Sequence, residues 1–465
     1  MQLFFILIII LNTIMAILVT LGSQKRPGPT WAWLVILFSL PILGLMLYFV
    51  FGREGSSYNS FAKKHDSDTA ILEKLRQLPI TTVHDINDIA LLNTFMAGSP
   101  LHSNNNVDIF HDGTQKFDKL LEDINSAKSS VHILYYIIKN DELGRRIINA
   151  LTNKAKEGIE VKLVVDKLGS RFLRKKIIKP LTEASGVVSV FAAPLFVRLN
   201  FRNHRKICVI DGQIGYVGGF NIGNEYLGKW RNYQNWRDCH IRLTGDAVSS
   251  LQAQFLMDFN YCSQGSKIDI DSKYFPDIHH SSDGISMQIV SSGPDTKYSN
   301  ILYAFIKMIS SAKRYVYIQT PYFVPDESLL DTLITACYSG IDVRIMIPKN
   351  PDHPFVFSAG LAHLAELIRS GAKCYGYTDG FLHSKVMLVD GEIATVGTAN
   401  MDIRSLRLNF EINAFIYNEA ITGRLEDVFM ADIQNSVILD LEWYNNRSIF
   451  DKIKEGACRL VSPLL

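Results

Sequence analysis

An excess of charge of either sign is missing from this chain. Its 48 lysines and arginines are offset by 46 aspartates and glutamates, leaving a formal net charge of +2 over 465 residues. With a pI near 8.1, that balance is too mild for a dedicated nucleic-acid binder, so no nucleic-acid partner is expected. Cysteine is scarce too. Cys208, Cys239, Cys262, Cys337, Cys374 and Cys458 have no paired spacing and no C-x-x-C. A zinc site and a disulfide framework are therefore not expected, and free thiols are. The apolar run at the amino end also lacks the basic head and small-x-small site of a cleaved leader.

Long hydrophobic runs, by contrast, are present. Leu3 to Leu21 and Trp31 to Phe51 are each about 20 residues, enough to cross a hydrocarbon core of roughly 30 Å as helices. Lys25-Arg26-Pro27-Gly28 forms a polar, helix-breaking turn between them, and Trp31, Trp33 and Tyr48 lie near the ends of the second run, where interfacial aromatics gather. Lys and Arg beyond the second run (Arg53, Lys63, Lys64) slightly outweigh Lys25 and Arg26, which favours a cytoplasmic position for the rest of the chain.

The strongest signal is a repeat. His204-Arg205-Lys206-Ile207-Cys208-Val209-Ile210-Asp211 returns as His383-Ser384-Lys385-Val386-Met387-Leu388-Val389-Asp390, each an H-x-K-x4-D followed by Gly and, downstream, by Asn221 or Asn400. The apolar residues around each motif predict a strand, whose period of two turns His204 and Lys206 to one face, and likewise His383 and Lys385. Asp-Gly between apolar runs is a hairpin signal, so Asp211 and Asp390 read mainly as turn-formers. The repeat extends outward. Leu121–Lys128 resembles Ile306–Lys313, Gly158–Val165 resembles Gly340–Ile347, and Phe255-Leu256-Met257-Asp258 resembles Phe429-Met430-Ala431-Asp432. Helical periodicity covers Leu143–Glu157 and Ser328–Ser339, and Val131–Ile138 and Val316–Val324 read as buried strands. The expected fold is α/β, two similar lobes in tandem. The expected organisation is two transmembrane helices within 1–52 (about 3–21 and 31–51), a connector over 53–94 with a short helix at Asp68–Gln77, a first lobe over 95–262, a linker over 263–284 and a second lobe over 285–465.

These twin motifs resemble the phospholipase D superfamily, from about Phe95 to the end of the chain. The resemblance implies that both motifs share one active site, with His204, Lys206, Asp211, His383, Lys385 and Asp390 as the catalytic set. It makes His204 the nucleophile and His383 the acid/base, although the two near-equivalent copies leave the order open. Asn221 and Asn400 would support the phosphate with the two lysines. Asp238, in Trp236-Arg237-Asp238, and Glu411, in Asn409-Phe410-Glu411, would orient the histidines. The chemistry suits those residues. A neutral imidazole can attack an anionic phosphodiester, a second can move the proton, and two ammonium groups do what a divalent metal would otherwise do, so no metal or cofactor is expected.

With the amino-terminal hairpin, Gly219-Phe220-Asn221-Ile222-Gly223-Asn224-Glu225-Tyr226 and the end Ser462-Pro463-Leu464-Leu465, the chain resembles the bacterial cardiolipin synthase branch. That implies a multi-pass membrane enzyme making cardiolipin and glycerol from two phosphatidylglycerols. A phospholipase D hydrolase, a nuclease and a non-catalytic scaffold are the alternatives, and the oligomeric state is not legible. Gly219 and Thr398 stand where many relatives have Ser, compatible with close backbone approach to phosphate or with a hydroxyl donor. The run Arg171-Phe172-Leu173-Arg174-Lys175-Lys176-Ile177-Ile178-Lys179 reads as a surface for anionic headgroups, with Arg198 and Arg202 as reinforcement, or equally as a solvated basic helix face.

Overall fold

The computed structural model describes residues 2–22, 27–51, 61–75, 87–193, 201–229, 235–263, 267–276 and 284–461. The expected hairpin turn with Lys25 and Arg26, together with Arg53, Arg198 and the carboxyl-terminal Ser462 to Leu465, lies outside them.

The first apolar run forms one helix, Gln2–Gly22. The second does not. It is divided into Pro27–Ser39 and Pro41–Phe51, because the Pro41 ring removes a backbone donor and clashes with the preceding turn. The pieces still pack as a unit. Trp33 meets Tyr48 edge to face at 5.3 Å, and the Asn12 amide donates to the Leu37 carbonyl at 3.1 Å. Among the described residues, no helix is long and apolar enough to cross a membrane.

The first lobe supplies β1 (Asn105–Phe110), β2 (Ser130–Tyr135), β3 (Glu160–Asp166), β4 (Val187–Phe191), β5 (Lys206–Ile210), β6 (Ile214–Gly218), β7 (Trp236–Arg237) and β8 (His240–Gly245). The second supplies β9 (Ser286–Ser292), β10 (Tyr315–Gln319), β11 (Phe323–Val324), β12 (Asp342–Pro348), β13 (Lys373–Tyr377), β14 (Phe381–Leu382), β15 (Val386–Val389), β16 (Ile393–Gly397), β17 (Met401–Asp402), β18 (Glu411–Tyr417) and β19 (Ser436–Leu439). One sheet runs β1-β8-β6-β5-β2-β3-β4 and the other β9-β18-β16-β15-β10-β12-β13-β19. The second order is the first with one strand added, so the sequence repeat is a repeat of topology. In both sheets the first crossover pair is parallel and the motif strand joins it antiparallel.

Each motif strand turns back as a hairpin, β5 to β6 and β15 to β16. Asp211 and Asp390 begin these turns with φ of +54° and +56°, a left-handed conformation that Asp tolerates better than most side chains.

The hydrophobic core is divided between an outer layer for each lobe and a layer shared by both. Val209, Val217 and Phe255 join Leu388, Val396 and Phe410 in the shared layer, which packs the two sheets on each other. Two further clusters fill the outer faces under the flanking helices.

The connector is less loose than its polarity suggests. Its helix spans Ala62–Leu75, earlier than expected, and Phe61 is fully buried between Phe201 and Phe410, with ring centroids at 5.6 and 5.1 Å. The next helix, Asp88–Ala97, packs on the second lobe, where the Asn93 amide donates to the Tyr417 hydroxyl at 3.3 Å. Part of the expected linker is also anchored, since the Tyr274 hydroxyl donates to Glu160 at 2.7 Å. All six cysteines are free.

Candidate active site

His204 and His383 sit just before β5 and β15, where the chain leaves its own lobe to pair with the other. The His204 backbone N–H donates to the Phe410 carbonyl at 2.9 Å, and the His383 N–H donates to the Arg237 carbonyl at 2.7 Å. Parallel pairing of β7 with β14 extends the second contact, and a parallel bridge between Asn203 and Phe410 extends the first.

The residue after each of those carbonyls is an acid. Each histidine is thereby set against a carboxylate of the opposite lobe. His204 Nδ1 lies 2.9 Å from Glu411 Oε2, and His383 Nδ1 lies 2.6 Å from Asp238 Oδ2. Both acids are fully buried, and burial alone would raise them. The hydrogen bonds from the histidines, with the Lys206 ammonium beside Glu411 and the Lys385 ammonium beside Asp238, outweigh it and hold both below the usual carboxylate range.

The imidazoles are kept neutral. Burial pulls His383 down to about 4, with the Lys385 ammonium adding to the effect and Asp238 opposing it. His204 is lowered by burial, against the pull of Glu411. With Nδ1–H given to a carboxylate, Nε2 keeps its lone pair.

Lys206 and Lys385 lie beneath the histidines. Lys206 Nζ donates to the His204 carbonyl at 2.7 Å, and Lys385 Nζ donates to the His383 carbonyl. Burial lowers Lys206 to about 7, opposed by Glu411 and helped by Lys385, and it lowers Lys385 to about 8 against Asp238.

A cavity of about 500 Å³ opens over this array. His204, His383, Asn221 and Asn400 line it, with Tyr136, Tyr226, Trp236, Tyr322, Asp352, Arg202 and Arg404. The Tyr136 ring stands edge-on to His204 at 5.0 Å, and the Trp236 ring lies 5.3 Å from His383. The Asn221 amide donates to the Tyr226 hydroxyl at 2.8 Å and accepts from the Ile137 N–H at 3.2 Å, which fixes its position in the wall.

Several sequence expectations are redistributed. Asp211 and Asp390 do not line the cavity. Each carboxylate accepts three backbone N–H groups at the start of a neighbouring strand, Lys128, Ser129 and Ser130 at 2.7–2.8 Å and Lys313, Arg314 and Tyr315 at 2.7–2.9 Å. They brace the hairpins and touch no reacting group. Arg202 lines the cavity. At Gly219 a Cβ would fall 1.9 Å from Asp238 Oδ1, so the glycine makes room for that acid. Its counterpart Thr398 has a hydroxyl that accepts from the Ile412 N–H at 2.9 Å, next to Glu411.

Sequence reasoning missed the arginines that brace the acids. The guanidinium of Arg205, the middle residue of the first motif, grips Asp258 at 2.8 and 2.9 Å, and its Nε donates to the Glu411 carbonyl at 3.3 Å. Arg237, next to Asp238, pairs with Asp432 at 2.9 Å. The matching Asp258 and Asp432 of the trailing helices were the available signal, but the repeat did not say what they hold.

The chain is similar to known proteins along nearly its whole length. The family described as "Cardiolipin synthase, PLD-like domain" matches residues 120–257 and 305–433, and "Phospholipase_D-nuclease N-terminal" matches residues 5–53. The chain is 44% identical to a cardiolipin synthase of Listeria innocua, over 99% of this chain and 98% of that one. It is 45% identical to the major cardiolipin synthase ClsA of Bacillus subtilis, again over 99% and 98%. Among solved structures, phosphatidylserine synthase of Haemophilus influenzae aligns with a TM-score of 0.62 at 15% identity, covering 82% of this chain and all of that one, which is a likeness of fold.

Proposed function

Because the chain belongs to the phospholipase D-like cardiolipin synthases, we propose that it transfers a phosphatidyl group between two phosphatidylglycerols, releasing cardiolipin and glycerol. The observation that carries this reading is the crossed pair of carboxylate-held histidines facing one cavity.

In the first step His204 Nε2 forms a bond to phosphorus, the bond from phosphorus to the headgroup glycerol oxygen breaks, and His383 gives that oxygen a proton. The arriving phosphodiester is negative, so it raises the His383 imidazole from its low value in the free cavity and lets it carry the proton. In the second step His383 takes a proton from the headgroup hydroxyl of another phosphatidylglycerol, whose oxygen displaces His204. Lys206 and Lys385 offset the charge on the phosphoryl oxygens through both steps. Asn221 and Asn400 hold the phosphate from the cavity wall.

Supplying phosphatidylglycerol in mixed micelles and resolving the lipid products tests the reading. Cardiolipin is the expected product, and phosphatidic acid without cardiolipin would mean that water is the acceptor. The order of the histidines has its own test. A phosphatidyl p-nitrophenyl ester needs no acid to lose its leaving group, so His383→Ala should give a burst of nitrophenol and label on His204. Label on His383 in His204→Ala would reverse the two roles.

The amino-terminal helices form the membrane anchor in this proposal, with the lobes on the cytoplasmic side. Support comes from the outward apolar side chains of the bundle. Ile9, Ile14, Val35, Phe38 and Met46 are all about half exposed or more, a surface suited to lipid. Labelling of a single introduced surface cysteine from each side of sealed vesicles tests the orientation.

A further inference from the structure

The cavity is not symmetric, although the lobes are. Beyond His383, the segment after β12 brings Asp352 into the wall, and the hydroxyl of Tyr322 donates to its Oδ2 at 2.7 Å. Its Oδ1 is buried and has no hydrogen-bond donor among the described residues. A carboxylate oxygen only accepts, and a buried acceptor without a donor is costly, so this atom is built to receive an O–H or N–H from a ligand. A phosphate oxygen cannot supply one, and an acyl chain has none to give.

We propose that Asp352 is the headgroup subsite of the reaction, accepting a hydroxyl of the glycerol that leaves the donor lipid and then the 2-hydroxyl of the acceptor headgroup. The inference rests on the cardiolipin synthase reading and assigns the residue that makes a polyol the preferred acceptor. Its location fits the chemistry. In-line displacement at phosphorus puts the leaving and entering oxygens opposite the nucleophile, on the His383 side. Asp352 lines the same cavity as Tyr226, whose ring is 6.4 Å from His383. Its negative charge acts on both Tyr226 and Lys385, so it belongs to this half of the cavity. With the 2-hydroxyl held by Asp352, the neighbouring 3-hydroxyl of the same headgroup is free to lose its proton to His383 and attack phosphorus. Water, with no second hydroxyl, gains nothing from the contact.

The test uses the full-length enzyme in detergent micelles with phosphatidylglycerol as donor and two soluble acceptors, radiolabelled glycerol and 1-propanol. All rates are divided by the nitrophenol burst amplitude, which counts competent sites. The wild type should favour glycerol by roughly tenfold or more, as sites built around a hydroxyl do. Asp352→Ala and the shape-preserving Asp352→Asn should bring that preference within about twofold, and should raise phosphatidic acid relative to cardiolipin at least about fivefold. A glycerol preference unchanged in both variants overturns the subsite. A loss of cardiolipin and phosphatidic acid in equal proportion does so as well. A wild-type enzyme that makes no cardiolipin would instead overturn the reading on which it rests.

Discussion

In the proposed mechanism Glu411 and Asp238 act through one proton each, the one that fixes which imidazole nitrogen keeps a lone pair. Glu411→Gln and Asp238→Asn keep the shape but can satisfy the wrong tautomer, so each should lower kcat by about 10²–10⁴-fold with little loss of folded protein. Steady-state rates beside a thermal melt check this. The lysines set the alkaline limit. Their ammonium groups are lowered by burial to about 7 for Lys206 and about 8 for Lys385, so they lose charge as pH rises through that range. The kcat/KM of the free enzyme should fall there, and should fall on the acid side, below the usual histidine range, as His204, held low by burial, protonates and loses its attacking lone pair. Lys206→Arg keeps its charge and should move the alkaline limb upward, at some cost in rate. For stability the sign is opposite. Lysines ionise near ~10.4 when unfolded, so between about 7 and ~10.4 the unfolded chain binds more protons and stability rises with pH. Because the phosphoryl charge is offset by ammonium groups, EDTA should leave the rate within about twofold.

Strands, turns and the connector helix have separate predictions. Asp211→Ala would strain a residue at positive φ and strip three backbone N–H groups of their acceptor, costing about 2–4 kcal/mol. Turnover per folded molecule should stay within about twofold, because the side chain lies outside the cavity. A rate that collapsed while the melt stayed unchanged would return Asp211 to the catalytic set. The helix Ala62–Leu75 carries Lys64, fully buried, with Asp258 at 3.2 Å, Asp295 at 3.0 Å and Asp68 at 2.5 Å. Burial works against its charge, but the three carboxylates overcome that and hold it above the usual lysine range. Lys64→Met would strand buried carboxylates at a cost of about 3–5 kcal/mol, readable as a lower thermal midpoint. Asp258 also holds Arg205, so the variant should lose rate as well as stability. Most of these elements were legible. The alternation around each motif and the Asp-Gly dipeptides predict β5–β6 and β15–β16, and three- and four-residue apolar spacing predicts the helices Glu142–Lys156 and Glu327–Tyr338. The helix Ala62–Leu75 was misjudged because its face is polar, and two of its partners, Asp258 and Asp295, lie far along the chain.

For the whole molecule, the crossed pairs make the lobes inseparable in function. Residues 95–262 alone contain His204 without Glu411, and Asp238 without His383. Either lobe expressed alone should be inactive, and the shared apolar layer it would expose favours aggregation. Truncation at the amino end distinguishes the proposed anchor from the fold. A chain starting at residue 61 keeps Phe61 and Lys64, and should turn over a short-chain, soluble phosphatidylglycerol while losing its attachment to membranes. A chain starting at residue 87 uncovers the groove between the lobes and should lose stability and activity together.

The sequence by itself determined the duplication, the α/β lobes, the two H-x-K motifs and the two acids, because each is written in local spacing or in a repeat that a single chain displays. Only the tertiary structure decided which acid serves which histidine. Sequence distance suggests that Asp238 serves His204, and Glu411 serves His383. Pairing of β7 with β14, and of Asn203 with Phe410, reverses that by laying each acid beside the histidine of the other lobe. The same packing moved Arg202 into the cavity, took Asp211 and Asp390 out of it, and brought Asp352 to its far wall. None of these is a property of spacing along the chain, because each depends on two sheets meeting face to face over a shared apolar layer.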